Sequence, residues 1–298
     1  MKPQKALHLH EELDKKKPKI SGVYAIYTKY DGWYGYLDIG TPGAGYKNIH
    51  SRAGREIPSL IDLSSSINTR LCFDDMQIKG RLIFEIMIAG LEHDFSKLNG
   101  ILNRSVEPCQ ALGAYIIVHD FVPYNELGFN TVCPFEQRRE VAAKLVNELH
   151  LPQVSMAQPL WHSDDVDHWK DLAEEEWAKG NEGVILKKLD AGYSPDKRNS
   201  DLLKIKEEVT LDLLVVDVEE GNGKYKGTLG SIICRDRNHV RHHISGMTDD
   251  QRFNWWLSPM DILGQVVEIK AMKILPDGQL REPRFKAIRF DKLASEID

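Results

Sequence analysis

The chain has 298 residues, 42% hydrophobic and 28% charged, with 39 Lys and Arg against 45 Asp and Glu for a net charge of −6. That length fits two domains or one large one, and the composition excludes a disordered chain. No run of about 18 apolar residues exists to span a membrane, the N-terminus lacks the apolar stretch of a secretory signal, and no global basic excess announces a nucleic-acid binder.

In chain order, residues 15–19 (KKKPK) read as a solvated turn. Residues 22–40 are rich in aromatic and β-branched side chains, with a turn at Asp31-Gly32. Residues 55–67 read as a turn and a short helix. Residues 81–90 form a strand carrying one charge, Glu85, in an apolar run. Residues 111–124 form another, ending at Pro123. Val141, Leu145 and Leu149 recur at helical spacing within 134–150. A second helix covers 165–180 and stops at Gly180. Strands follow at 182–188 and 202–221. The tail alternates short strands with Gly and Pro turns, which predicts a small all-β barrel. The boundary falls just after Lys206. Cys72, Cys109, Cys133 and Cys234 are scattered with no C-x-x-C pair, so neither a zinc knuckle nor a disulfide framework is expected. A reducing cytoplasm is the expected compartment.

The chemistry rests on several short segments. Lys29 ends an aromatic β-run immediately before a turn. Taken alone, that is a hairpin with a surface lysine. A lysine nucleophile needs its ammonium destabilised, by desolvation or by neighbouring cations. Tyr27, Tyr30, Trp33 and Tyr34 offer the first; Lys204 and Lys206 offer the second if they fold nearby. Glu85 is either a structural ion pair or a strand carboxylate facing a polar ligand or metal. Glu182 opens a strand just after a helix stop, a place where a turn glutamate is ordinary. Lys204 and Lys206 lie on one face of a strand and repel unless an anion sits between them. Lys187, Lys197 and Arg198 add cations to that stretch. Arg52 ends a strand at a small-residue turn, solvated or forked onto a phosphate. Arg281, Arg284, Lys286, Arg289 and Lys292 crowd the tail with two Phe among them, a pattern suited to phosphate backbone.

Read together, these segments resemble the ATP-dependent DNA ligases, within the covalent nucleotidyltransferases. Lys29-Tyr30-Asp31-Gly32 resembles the nucleophile motif K-x-D-G, and Ser51-Arg52-Ala53-Gly54 the S-R motif after it. Phe84-Glu85 resembles the strand glutamate motif and Glu182 to Lys187 the E-G-V-x-x-K motif. Tyr193, Lys197-Arg198 and Leu203 to Lys206 resemble the double-lysine motif with its lead-in. In the tail, Gly230-Ser231, Leu280 to Phe285 and Arg289 to Lys292 resemble the L-G-S, R-x-P-x-F and R-x-D-K patterns. The resemblance spans roughly 22–292. Three positions depart from it: Tyr34 stands where the family usually has Arg, Tyr27 where a Glu often reads adenine, and His119 where an aromatic often stacks on the base.

The resemblance implies an α+β fold: a mixed nucleotidyltransferase domain with antiparallel sheets over 1–207, then an OB-fold barrel over 208–298. It implies that Lys29 takes AMP from ATP and that a nick in duplex DNA is sealed with Mg²⁺. Tyr27, Thr28, Arg52, Glu85, His119, Lys204, Lys206, Arg289 and Lys292 would hold the nucleotide. Glu85 and Glu182 would hold the metal, with ribose contact the alternative for Glu85. Arg52, Lys197, Arg198, Arg281, Arg284 and Lys286 would touch DNA. The tail barrel would bring Arg289 and Lys292 onto the pyrophosphate. A monomer with nicked duplex DNA as partner and no membrane is expected. An RNA ligase or capping enzyme would share K-x-D-G and the lysine pair, but the R-x-P-x-F and R-x-D-K tail argues for the DNA class. Retention of Lys29, Glu182, Lys204 and Lys206 argues against a non-catalytic nucleic-acid-binding relative. The N-terminal domain and zinc module of NAD⁺-dependent ligases have no counterpart.

Overall fold

The computed structural model describes the chain except for residues 41–47, 74–77, 105–108, 126–127 and 276 and the side chains at 72 and 73. Two compact units result, Met1–Lys206 and Glu207–Asp298. Among the described residues no helix is long and apolar enough to cross a membrane.

The first unit runs β1 (Lys5–His8), α1 (Leu9–Leu13), β2 (Tyr24–Lys29), β3 (Trp33–Ile39), β4 (His50–Ser51), α2 (Ile61–Phe73), β5 (Gly80–Ile88), α3 (Phe95–Leu102), β6 (Ala114–Asn125), β7 (Gly128–Phe129), α4 (Phe135–Leu149), β8 (Val154–Met156), β9 (Trp161–Ser163), α5 (Val166–Ala178), β10 (Gly183–Lys188) and β11 (Arg198–Lys206). One sheet has the order β1-β11-β10-β2-β9 and the other β4-β3-β5-β6-β7, with β8 beside β6. Pairing is antiparallel except at β1–β11 and β6–β8.

Strand alternation explains the layers. On β2, Tyr24 and Ile26 pack with Trp169 and Ala173 of α5, as do Val184 and Leu186 of β10 and Leu203 of β11. On β5, Leu82, Phe84, Ile86 and Ile88 pack on the other side of the unit with Leu145 and Leu149 of α4. The intervening residues of both sheets, among them Ala25, Tyr27, Met87 and Ile117, meet in a core between the sheets. The turn at Asp31-Gly32 is therefore not a hairpin: β2 and β3 bury their apolar faces against different helices and join different sheets.

The second unit runs β12 (Val209–Glu220), β13 (Leu229–Arg235), β14 (Arg241–Ile244), α6 (Asp249–Leu257), β15 (Val266–Ala271), β16 (Lys273–Ile274), β17 (Leu280–Arg281) and β18 (Arg284–Ile288). Its main sheet, β14-β13-β12-β15-β18, curls until its edges meet: Ser245 bridges Arg284, and Phe285 N–H donates to Ser245 O at 2.8 Å. A helix sits in the connection from β14 to β15. A capping box at Thr248 and Gln251 starts α6, whose Trp255 packs edge-on against Phe285.

Candidate active site

Because Lys29 follows Ala25 and Tyr27 at intervals of two, its side chain points into the space between the sheets. The partner strand delivers Glu182: Lys29 pairs with Gly183, and Lys29 Nζ donates to the Glu182 carboxylate. Only glycine fits at 183. A Cβ there would lie 2.1 Å from Ile205 O of β11, and the backbone sits at φ +135°. This tight packing brings β11 alongside, with Gly183 opposite Lys206 and Ile185 opposite Lys204. Lys204 is pushed down to about 8, first by burial and then by Lys206, Lys29 and Arg198.

From the other sheet, Glu85 faces the same space. It is pushed up to about 7, chiefly by burial; Lys29 and Arg52 pull the other way while Glu182 and Asp31 add to the rise. Gly32 rides directly over it: a Cβ at 32 would fall 2.6 Å from Glu85 Cγ and 2.5 Å from Met87 Sδ. The glycine of K-x-D-G is thus a close-approach residue that lays the turn on β5. Arg52 sits over the Tyr34 ring, 5.1 Å from its centroid. The structure accordingly gathers Lys29, Arg52, Glu85, Glu182, Lys204 and Lys206.

His119 joins them from β6. Lys187 Nζ lies 3.2 Å from His119 Nδ1 and donates to its carbonyl at 2.7 Å. Burial and this cation push the imidazole down to about 3, so it is neutral and the Lys187 ammonium makes Nδ1 the acceptor. Below lies a buried pair, Arg138 on Asp120, which with Lys187 holds the carboxyl well under its usual range. Burial pushes the Tyr27 hydroxyl up to about 12, against the pull of the neighbouring Arg139 guanidinium.

Other candidates lie elsewhere. The Thr28 side chain interacts with Glu176 of α5, away from Lys29. Lys197 and Arg198 are exposed at the start of β11. In the second unit, Arg284 and Lys286 are exposed on β18 while Phe285 between them is buried. Of the two tail Phe, then, one is core and Phe290 is 84% exposed. Arg281 is half-buried on β17. Arg289 and Lys292 are gathered on buried Asp212. Arg289 Nη1 lies 2.9 Å from Asp212 Oδ2, Lys292 Nζ donates to the same carboxylate, and Asp291 holds the other side of the guanidinium at 2.7 Å. Asp212, Asp120 and Arg138 escaped the sequence reading. Asp120 is a lone acid inside an apolar strand, the same signal that singled out Glu85, and Asp212 interrupts the apolar run Leu211 to Val216.

Residues 4–206 match the family described as ATP dependent DNA ligase domain, and residues 220–289 the one described as DNA ligase OB-like domain. A DNA ligase of Natronomonas pharaonis is 33% identical over 164 residues, covering 47% of this chain and 30% of that protein. One of Haloarcula marismortui is 33% identical over 163 residues, covering 47% and 29%. The matched stretch thus spans about a third of those relatives. The solved structure of Pmar-Lig_PreS3 superposes with a TM-score of 0.75 at 25% identity, covering 97% of this chain and 67% of that one. A Lig E DNA ligase, solved in work on DNA binding with a minimal scaffold, shares the fold at a TM-score of 0.70 and 19% identity over 97% and 99% of the two chains. The ATP dependent DNA ligase domain is matched over more than half of the chain and the OB-like domain follows it: the chain belongs to the ATP-dependent DNA ligase family.

Proposed function

We propose that the chain seals nicks in duplex DNA through a lysyl-AMP intermediate, acting as a monomer. The observation that carries this reading is the ion pair of Lys29 with Glu182 in the inter-sheet space, flanked by Lys204 and Lys206. Lys29 Nζ attacks the α-phosphorus of ATP; the P–N bond forms, the bond to pyrophosphate breaks, and Glu182 is the carboxylate in place to take the proton. Charge developing on the phosphoryl oxygens meets Lys204, Lys206 and Arg52. Arg289 and Lys292 add charge at the departing pyrophosphate. A DNA 5′-phosphate oxygen then takes the AMP from Lys29, and the 3′-hydroxyl displaces AMP to close the phosphodiester.

Tyr27 and His119 border the base and ribose in this reading. Mg²⁺ suits the pair Glu85 and Glu182, hard oxygen ligands whose like charges add to the rise that burial gives Glu85. Among the described residues no group of three or more His, Cys, Asp or Glu converges as a metal cage. Glu85 and Glu182 would hold the ion, and bound there it would neutralise phosphoryl charge.

The test is incubation with labelled ATP and Mg²⁺, then denaturing electrophoresis. α-Labelled ATP labels the protein, γ-labelled ATP does not, and Lys29→Ala removes the label. A label that survives Lys29→Ala overturns the nucleophile. Parallel nicks in DNA and RNA duplexes read the substrate class.

A further inference from the structure

The segment before the first sheet strand is woven into the lead-in of the double-lysine strand. Gln4 N–H donates to Tyr193 Oη at 2.9 Å, Ser194 N–H donates to Gln4 Oε1 at 3.2 Å, and Lys5 N–H donates to Lys197 O at 2.9 Å. β1 then runs parallel to β11, Lys5 opposite Arg198 and His8 opposite Lys204. This brings Lys2 and Lys5 beside Lys197 and Arg198, four cations at one exposed sheet edge. Asp196 answers two of them: Lys2 Nζ lies 3.0 Å and Lys5 Nζ 2.6 Å from its two oxygens. Among the described residues Lys197 and Arg198 have no ion-pair partner. The group continues along β11, where Arg198 adds to the positive field on Lys204. Cations gathered this way repel one another, and a surface that keeps them together suits a polyanion.

We infer that β1 and its lead-in carry a DNA phosphate track running on from the reaction site, with Lys2 and Lys5 as phosphate contacts and Asp196 as the built-in counter-ion that DNA displaces. The inference rests on the proposed ligase reading and extends it to a segment in which nothing in the motif pattern marked a site. The lysines are 75% and 49% exposed, so their side chains are free to change partner. DNA is favoured over other polyanions because the same strand β11 carries the track and the reaction-site lysines.

The experiment uses the full chain and a nicked duplex carrying a preformed 5′-adenylate, with binding measured across a salt series and sealing measured against DNA concentration. Each phosphate contact contributes about −0.9 to the slope of log K against log salt. The double variant Lys2→Ala, Lys5→Ala should therefore flatten the slope by nearly two units and raise the DNA concentration for half-maximal sealing about tenfold. Label transfer from ATP to Lys29 needs no DNA and serves as the folding control. Asp196→Asn should do the opposite and tighten binding several-fold, because the competing carboxylate is gone. A wild-type slope and wild-type half-saturation in the double variant overturn the track, as does weaker binding by Asp196→Asn. If the wild-type chain binds nicked DNA but forms no lysyl-AMP and seals nothing, the ligase reading fails while the salt slopes still decide the track. If the wild type does not bind nicked DNA, both fall.

Discussion

On the inward face of β5, the Glu85 carboxyl is held near neutral pH by burial against the pull of Lys29 and Arg52. Between pH 4.5 and about 7 the folded chain keeps a proton on Glu85 that the unfolded chain has released, so stability falls as pH rises through that window. Glu85→Gln should remove this cost. We expect a higher melting temperature than wild type at pH 8, a gain on the order of 3 kcal/mol at most, and little difference at pH 4.5. The same variant should lose sealing activity, the trade expected where a site stores electrostatic strain. Melting curves at the two pH values check it, and equal gains at both would assign the effect to packing. The Asp120–Arg138 pair behaves oppositely. It is satisfied and buried, so Asp120→Ala strands a guanidinium and should destabilise the first unit by about 3–5 kcal/mol in a denaturant titration. In the second unit Asp212→Ala should loosen Arg289 and Lys292 together, since both lean on that one carboxylate. The expected readout is slower label transfer from ATP, while sealing of a pre-adenylated nick is spared.

At the level of elements, the close approach at Gly183 decides whether Glu182, Lys204 and Lys206 share one space. Gly183→Ala places a methyl against Ile205 O at a φ that L residues avoid. We expect a loss above about 2 kcal/mol and no detectable lysyl-AMP; a melting curve with a label-transfer assay tests both. Most strands and the helices α4 and α5 were legible from periodicity, because each buries one continuous face; α2, as long as α5, reads in the sequence only as a short helix. The inward set was legible too: alternation puts Lys29, Glu85, Lys204 and Lys206 on faces opposite their apolar neighbours. What escaped had a different cause. α6 hides in a tail of short strands, and its one local sign is the Thr248–Gln251 capping box. β1 is four residues long and becomes a strand only through β11, a pairing that no local pattern encodes. The parting of β2 from β3 depends on which helix each strand covers, a tertiary matter. Thr28 had motif neighbours in its favour, but alternation sends its side chain toward α5.

Over the whole chain, each unit has its own core: one layered around two sheets, one inside the barrel closed at Ser245 and Arg284. Separate cores predict separate folding. Residues 1–206 alone should melt cooperatively and keep Lys29 beside Glu182, yet take AMP from ATP slowly without Arg289 and Lys292. Circular dichroism and label transfer on the fragment check this, and full activity would make the tail dispensable. The net charge of −6 assigns DNA attraction to local cations, so sealing should be strongly salt-sensitive.

The passage from β2 to β3 fastens the two sheets of the first unit to each other. Tyr30 to Gly32 is a short tether from one sheet to the other, and Gly32 is pressed against Glu85. A second crossing lies between β8 and β9, where Ala157 N–H donates to Val118 O and Leu160 N–H to Ile26 O, and Lys187 reaches from β10 to the His119 carbonyl. The gap is pinned at several points, so its width is set before a nucleotide enters. One glycine inserted after Tyr30 would loosen only the pin beside Lys29, and should slow AMP transfer to Lys29 more than it weakens ATP binding.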